Sequence, residues 1–345
     1  MNFDFTEDQR TIKATARELL AARSPFERVR AAADAGRYDT ALWHELCELG
    51  WPGIAIAERY GGQGLGAVEL AVLLEELGHA VAAVPLLGSA LAALAIEHAG
   101  DESQRQRWLP GLASGELSGA FGGVRDLIAD GSDADVIIVV EAGAPRVVAR
   151  ADAVIEPVAA IDPTRRYARV SGDGAVLGGD VEAALGRAGA AVAAEVVGVC
   201  QRALDMTVAY VSERRQFGVP VGSFQAVAHR CARMLLHTEG ARSAAYFAAW
   251  AADAAPERLT EAVGLACVAA GEAGIEVTGS AIQAHGGIGF TWEADVHWLF
   301  KRAQLDAALL GGASGHQMRL ARALAAARAE RQRSDGSAIP SSMNP

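Results

Sequence analysis

The stretch "AVAAEVVGVCQRALDMTVAYVSERRQFG", residues 191–218, decides the fold class. Val192, Val196, Val199, Ala203, Met206 and Tyr210 recur at helical spacing, so one face of a long helix is apolar and packs on a core. The charged and glycine-bearing run "ERRQFG" ends that helix, and a second long helix is predicted from near Ser223. Alanine-rich helices follow over 257–283 and 315–332. The C-terminal half is therefore a helical bundle.

Working outward, the N-terminal third is helical as well. Thr6 and Gln9 form a capping box, and Ile12, Ala16, Leu19 and Leu20 then share one face. Leu42, Leu46 and Leu49 repeat the pattern before Gly50, and Leu70, Leu73, Leu74 and Leu77 repeat it before Gly78. The glycine-rich run "ERYGGQGLG", 58–66, lacks the preceding strand that a phosphate cradle needs and reads as a structural loop. From about Leu117 the texture changes. "ADVIIVVEAG", "RVVARADAVIEPV" and "YARVSGDGAVL" are β-branched runs broken by Gly, Asp and Pro, which predicts a small β domain.

These readings give a mainly α chain with a small central β domain. The boundaries are a helical domain over 1–116, a β domain over 117–180, a bundle over 181–332 and a polar, disordered tail over 333–345. A length of 345 residues and 51% hydrophobic composition suit two or three domains with large cores. The start, MNFDFTEDQR, has no leader pattern, and no apolar run is expected to reach the roughly 18–20 residues of a membrane span. A cytoplasmic protein is the expectation. The four cysteines are far apart without metal-ligand spacing and read as reduced core residues. The formal charge of −11 disfavours a nucleic-acid partner.

The stretch "LLGGASGHQ", 309–317, reads locally as a helix–helix corner. Gly311 or Gly312 takes the left-handed conformation that ends one helix, and Ser314 with Gln317 caps the next.

Several stretches together resemble acyl-CoA dehydrogenases. They are "FTEDQ", "LGWPGIAIAERYGGQGLGAVELAVLLEELG" (49–78), "RWLPGLASGELSGAF" (107–121), "QRALDMTVAYVSERRQFGVPVGSFQAVAHRCARM" (201–234) and "AIQAHGGIGFTWEADVHWLFKRAQ" (281–304). The resemblance spans most of the chain in the family's order. It implies a helical N-terminal domain, a β-barrel middle domain, here reduced, and a C-terminal four-helix bundle that oligomerises. It also implies FAD. On this resemblance Arg214, Phe217 and Gln225 meet the ADP half of a flavin held mainly by the adjacent subunit, and Gln283, Gly286 and Gly287 form a second cross-subunit contact. An arginine can pair bidentately with a pyrophosphate, an aromatic ring gives apolar cover, and glycines let backbone approach phosphate closely. Without the family, Arg214 and Arg215 read as solvated charges at a helix C-terminus and "GGIG" as a turn.

Two departures matter. The family's glutamate base, which removes the α-proton of the acyl thioester, falls at Gly311, and the alternative position used by some relatives falls near Ala188. Glu182 and Glu195 flank the acid-free run "GRAGAAVAA", with Glu195 expected to face elsewhere; His316 offers a substitute base, although a surface histidine is the plainer expectation. The flavin-lining "TEPxxGSD"-like loop and "xxITNG"-like strand are also not recognised in "FGGVRDLIADGSDADVIIVV", and the segment after Gly115 is short for the family.

The resemblance therefore implies a base-lacking shorter subunit of a heteromeric α2β2 acyl-CoA dehydrogenase of the actinobacterial kind. Its substrate would be an acyl-CoA thioester of steroid or lipid breakdown, its partner a longer subunit, and its electron acceptor an electron-transfer flavoprotein or another acceptor. A self-sufficient enzyme with a relocated base, or a flavin-free scaffold, are the alternatives. The apolar faces over 188–212 and 223–252 exceed what one chain leaves in water, so a partner is expected to cover them.

Overall fold

A computed structural model describes residues 4–123, 126–309, 312, 314–322 and 325. Six helices come first: α1 (Glu7–Arg23), α2 (Phe26–Ala35), α3 (Thr40–Glu48), α4 (Ala67–Ala80), α5 (Leu86–Ala99) and α6 (Glu102–Ser114). The expected capping box starts α1, with Gln9 N–H donating to Thr6 Oγ1 and Thr6 N–H to Gln9 Oε1. Leu42 and Leu46 of α3 are buried, but Leu49 is 47% exposed. The helix stops at Glu48, so Leu49 leaves the periodic face and caps it instead.

Gly78 does not end α4 as its position suggested; the helix runs on to Ala80 and stops at Val81, which takes φ +49°. The reason is packing. A Cβ at Gly78 would collide with the Glu195 carbonyl of α7 (Val181–Glu213), and one at Gly198 of α7 would collide with the Glu75 carbonyl of α4. Each glycine thus lets the other helix's backbone come into contact. The loop 58–66 is structural, because the N–H groups of Gln63, Gly64 and Leu65 donate to Gly53, Ile56 and Ile54 carbonyls.

The strands are β1 (Gly119–Gly123), β2 (Val136–Glu141), β3 (Ala144–Ala149), β4 (Ala153–Pro157), β5 (Ala168–Gly172) and β6 (Ala175–Val176). The reduced barrel expected here takes the form of a four-stranded sheet in order β1-β2-β3-β6 and a β4-β5 pair. Strand β2 is an unbroken apolar run because both its faces are covered. Val136 and Ile138 join the helical core, whereas Ile137 and Val139 pack with Ile128, Val148 and Val170.

Beyond the sheets, α7 is followed by a hairpin of β7 (Arg215–Gln216) and β8 (Val219–Pro220), then α8 (Gln225–Ala254), α9 (Leu259–His285) and α10 (Val296–Ala308). The segments of α7 and around α9 do reach the length and apolarity of a membrane span, contrary to the sequence expectation. Alanine and valine raise their average without making a long unbroken apolar run. Both are core helices, packed on each other and sharing one cluster of Val196, Val199, Ala203, Ala266, Ala270 and Val277. All four cysteines are free, but only Cys200 is fully buried; Cys47, Cys231 and Cys267 are half-buried. The tail 333–345 lies outside the described residues.

Candidate functional site: an open bundle end and a closed corner

Two regions of the bundle carry the sequence-derived candidates. The first is the end where α7, α8 and α9 meet the hairpin. Tyr210, in the last turn of α7, stacks on His285, the last residue of α9, with ring centroids 4.4 Å apart. That stack brings Arg214 and Gly286 to the same end of the molecule. Arg214 is exposed, and its side chain makes no hydrogen bond or ion pair among the described residues. Gln225 opens α8, a 30-residue helix whose Phe224 cap offers no side-chain hydrogen bond, so the positive end of its dipole is open to an anion.

Phe217 is the most informative residue here. It and Gly218 form the two-residue turn of the hairpin with φ of +52° and +82°, a turn that ordinarily selects Asn or Gly. A bulky side chain in the left-handed region costs roughly 1–2 kcal/mol, yet the ring is 92% exposed and recovers little by packing. Its ring contact within the chain is Phe224, edge-on at 6.3 Å. The strain is explained if the ring is held out for another molecule.

At Gly286 the backbone takes φ +66° and ψ −143°, a conformation reserved for glycine, and its N–H is committed to the Gln283 carbonyl. Gly286 therefore supplies the turn rather than a phosphate donor, which narrows the role expected from the sequence. Gly287 is different: a Cβ there would meet nothing within 4 Å, so packing inside this chain does not require glycine. Gln283, in the last turn of α9, is exposed beside them.

The second region is the corner after α10. Gly311, where the base was sought, lies outside the described residues; Gly312 takes φ +64°, and residues 314–322 are helical. His316 is not a surface histidine. It is 4% exposed, because the corner folds its ring against α7 and α9; a Cβ at Gly189 would lie 3.7 Å from it. Burial and the neighbouring Arg319 push its pKa down to about 4, so the ring is neutral near pH 7. The space among Val192, Cys267, Asp306, Leu309, Gly312 and His316 is only about 20 Å³, room for about one water. A larger apolar cavity of about 350 Å³ lies on another side of His316, walled by Val181, Leu185, Val263 and Gly264.

Next to that corner is a buried ionic cluster that the sequence reading missed. Arg165 donates to both oxygens of Glu195 at 2.5 Å and to Asp306 Oδ1 at 2.5 Å. Arg302 donates to Asp162 Oδ2 at 2.7 Å, Glu195 Oε1 at 2.8 Å and Thr164 Oγ1 at 2.5 Å. The cluster ties the loop before β5 to α7 and α10. Two guanidiniums face three carboxyls, so one carboxyl is in excess. Asp306 is that one: its Oδ2 has no hydrogen-bond partner among the described residues, and burial, reinforced by Glu195, pushes its pKa up to about 7 despite Arg165. Asp162 goes the other way, for Arg302 and the Thr164 hydroxyl overcome burial and hold it low. Two signals in the sequence pointed here. Glu195 is a lone acid in an apolar run, and Arg302 and Asp306 are four apart on one helix. Of the sequence candidates, Glu182 accepts the Thr260 hydroxyl at the surface, and Ala188 is buried.

Comparisons with known proteins agree with this architecture. Residues 6–116 match the acyl-CoA dehydrogenase N-terminal domain, and 180–325 match the acyl-CoA dehydrogenase C-terminal domain. The acyl-CoA dehydrogenase IpdE2 of Mycolicibacterium smegmatis is 36% identical over 309 residues, covering 89% of this chain and 95% of that one. Among solved structures, the Tcur3481–Tcur3483 steroid ACAD superposes with a TM-score of 0.85 at 30% identity, covering 94% of this chain and 99% of that one. The ChsE4–ChsE5 complex from Mycobacterium tuberculosis gives 0.83 at 28% identity, with the same coverage. The order of domains, the bundle and its motif-bearing end, and these matches place the chain in the acyl-CoA dehydrogenase family.

Proposed function

We propose that this chain is the base-lacking subunit of a heteromeric, FAD-dependent acyl-CoA dehydrogenase that desaturates an acyl-CoA thioester in the cytoplasm. The observation that carries the reading is the contrast between a strained, outward-held Phe217 and a corner with only about 20 Å³ of free space. One region is prepared to meet a group held by another chain; the other has almost no free space between Asp306 and Gly312.

The open end fits the ADP half of FAD. Arg214 would pair with the pyrophosphate, the uncapped start of α8 at Gln225 would add its dipole, and Phe217 would cover the group from solvent. Gly286 turns the chain, and Gly287 and Gln283 leave a face that another molecule can approach. FAD, when bound, accepts the β-hydrogen of the acyl group as hydride. The α-proton would leave to a base on a longer partner subunit. Similarity to the steroid ACAD and to the ChsE4–ChsE5 complex supports a steroid-derived or other lipid acyl-CoA, and the acceptor would be an electron-transfer flavoprotein or an equivalent.

Co-expression with a longer acyl-CoA dehydrogenase subunit tests this. The expected product is a yellow α2β2 assembly with two FAD. The chain alone should be slower by about 10²- to 10⁴-fold or more, the usual worth of a positioned base. A homotetramer of this chain carrying four FAD and turning over an acyl-CoA would overturn the reading.

One observation favours a second reading, a self-sufficient enzyme. Asp306 borders the corner with an unpartnered Oδ2 and a pKa near neutrality, as a general base requires. If the isolated chain is active and Asp306→Asn abolishes that activity, this reading replaces the first.

A further inference from the structure

A cavity of about 180 Å³ lies where the end of α1, the start of α2 and the end of α4 meet the middle of α7. Its polar and charged lining includes Arg17, Glu76, His79 and Arg202. Arg17 and Glu76 satisfy each other through a two-pronged hydrogen bond. His79 sits between Arg17 and Asp205, with Nε2 at 3.1 Å and 3.2 Å from them, and burial pulls its pKa down.

Arg202 is the group left over. It forms no hydrogen bond or ion pair among the described residues, its Nε is sealed from solvent and unpaired, and its guanidinium lies 5.4 Å from the Phe26 ring centre. A half-buried guanidinium with unused donors is costly unless an acceptor reaches it. The same wall presents a second source of positive potential. Ser24, Pro25 and Phe26 line the cavity where the 10-residue α2 begins, and no side chain caps that helix. The remaining wall, Leu20, Ala21 and Ala80, is apolar.

We propose that this cavity binds a small oxyanion, a carboxylate or a phosphate on a short stem, whose oxygens engage Arg202 and the start of α2. Its volume, roughly that of six waters in the liquid, suits a group of this size. The planar guanidinium matches either head group. The site is separate from the bundle end proposed to meet FAD and does not depend on that reading.

Isothermal titration of the full chain, alone or in its complex, with inorganic phosphate and with butyrate at constant ionic strength tests the proposal. One saturable site per chain is expected for at least one probe, and which probe binds identifies the head group. Arg202→Gln should weaken binding at least about tenfold, the effect of losing one charge-assisted contact. Ala21→Leu, at an exposed helical position on the cavity wall, should weaken it comparably by filling space without removing charge. Arg187→Gln, a cation of a different cavity, should leave it unchanged. Saturation by neither probe, or unaltered binding in both the Arg202 and Ala21 variants, would overturn the proposal.

Discussion

The two candidate regions of the bundle treat charge in opposite ways. At the corner, Arg165 and Arg302 are buried and paired with Asp162, Thr164, Glu195 and Asp306, although Arg165 Nε has no partner among the described residues. At the open end, Arg214 reaches into solvent with no partner among the described residues, beside an aromatic ring forced outward and a helix start left uncapped. A charge paired inside its own chain holds the fold together. A charge left unused next to strained backbone is available to something outside.

The comparison can be broken most directly at the corner. Arg302→Met should destabilise the chain by about 3–5 kcal/mol, because it leaves Asp162 without its ion-pair partner and Glu195 with one fewer in a buried site. Urea unfolding measures this, and a loss below about 1 kcal/mol would mean the cluster is not what joins the β5 loop to the bundle. At the open end the same kind of change should spare stability. Arg214→Ala should unfold at the parent urea midpoint while flavin retention by the assembled complex falls about tenfold, read as flavin absorbance per protein after gel filtration. Unchanged flavin content would favour the scaffold alternative.

Phe217→Asn sharpens the contrast, since one substitution should move the two properties in opposite directions. Asparagine tolerates the left-handed turn, so stability should rise by about 0.5–1 kcal/mol while flavin retention falls. A variant that is both less stable and equally flavin-loaded would remove Phe217 from the site.

Asp306→Asn mimics the protonated carboxyl, and its effect is read as a pH dependence and not as one fixed loss. Its folded pKa is raised to about 7, so the folded state holds a proton that the unfolded chain releases above the ordinary aspartate value. That contribution is complete at low pH and is lost as pH rises through about 7. The parent should therefore lose stability relative to the variant between about pH 4 and 7, with little difference between them at pH 4. Parallel urea midpoints across that range would show that Asp306 is ionised throughout.

What the sequence disclosed follows from the range of the interactions involved. The Thr6–Gln9 cap and the leucine face of α4 are local patterns, and the structure repeats them. Strand β2 was equally plain, since an unbroken "VIIVV" run suits a strand covered on both sides. The ionic cluster was not plain, because Arg165 lies 141 residues from Asp306 and 30 from Glu195, and no local pattern pairs them. His316 misled for a similar reason. A polar neighbourhood in sequence suggested the surface, and only the corner's fold showed that the ring is turned inward. At the open end the motif residues were legible one by one. The positive φ of Phe217 and the spent N–H of Gly286 were not, for both depend on how turns close.

The paired glycines of α4 and α7 bear on how this protein can be taken apart. Gly78 and Gly198 let the backbones of an N-terminal-domain helix and a bundle helix touch, so the seam between the two matched domains is as tight as an interior. A chimaera that takes its first domain from a relative must therefore inherit a glycine at each side of that crossing, or the two helices are wedged apart. For the same reason, a single cut in the β region should yield two pieces that stay together through gel filtration, not two independently folded fragments.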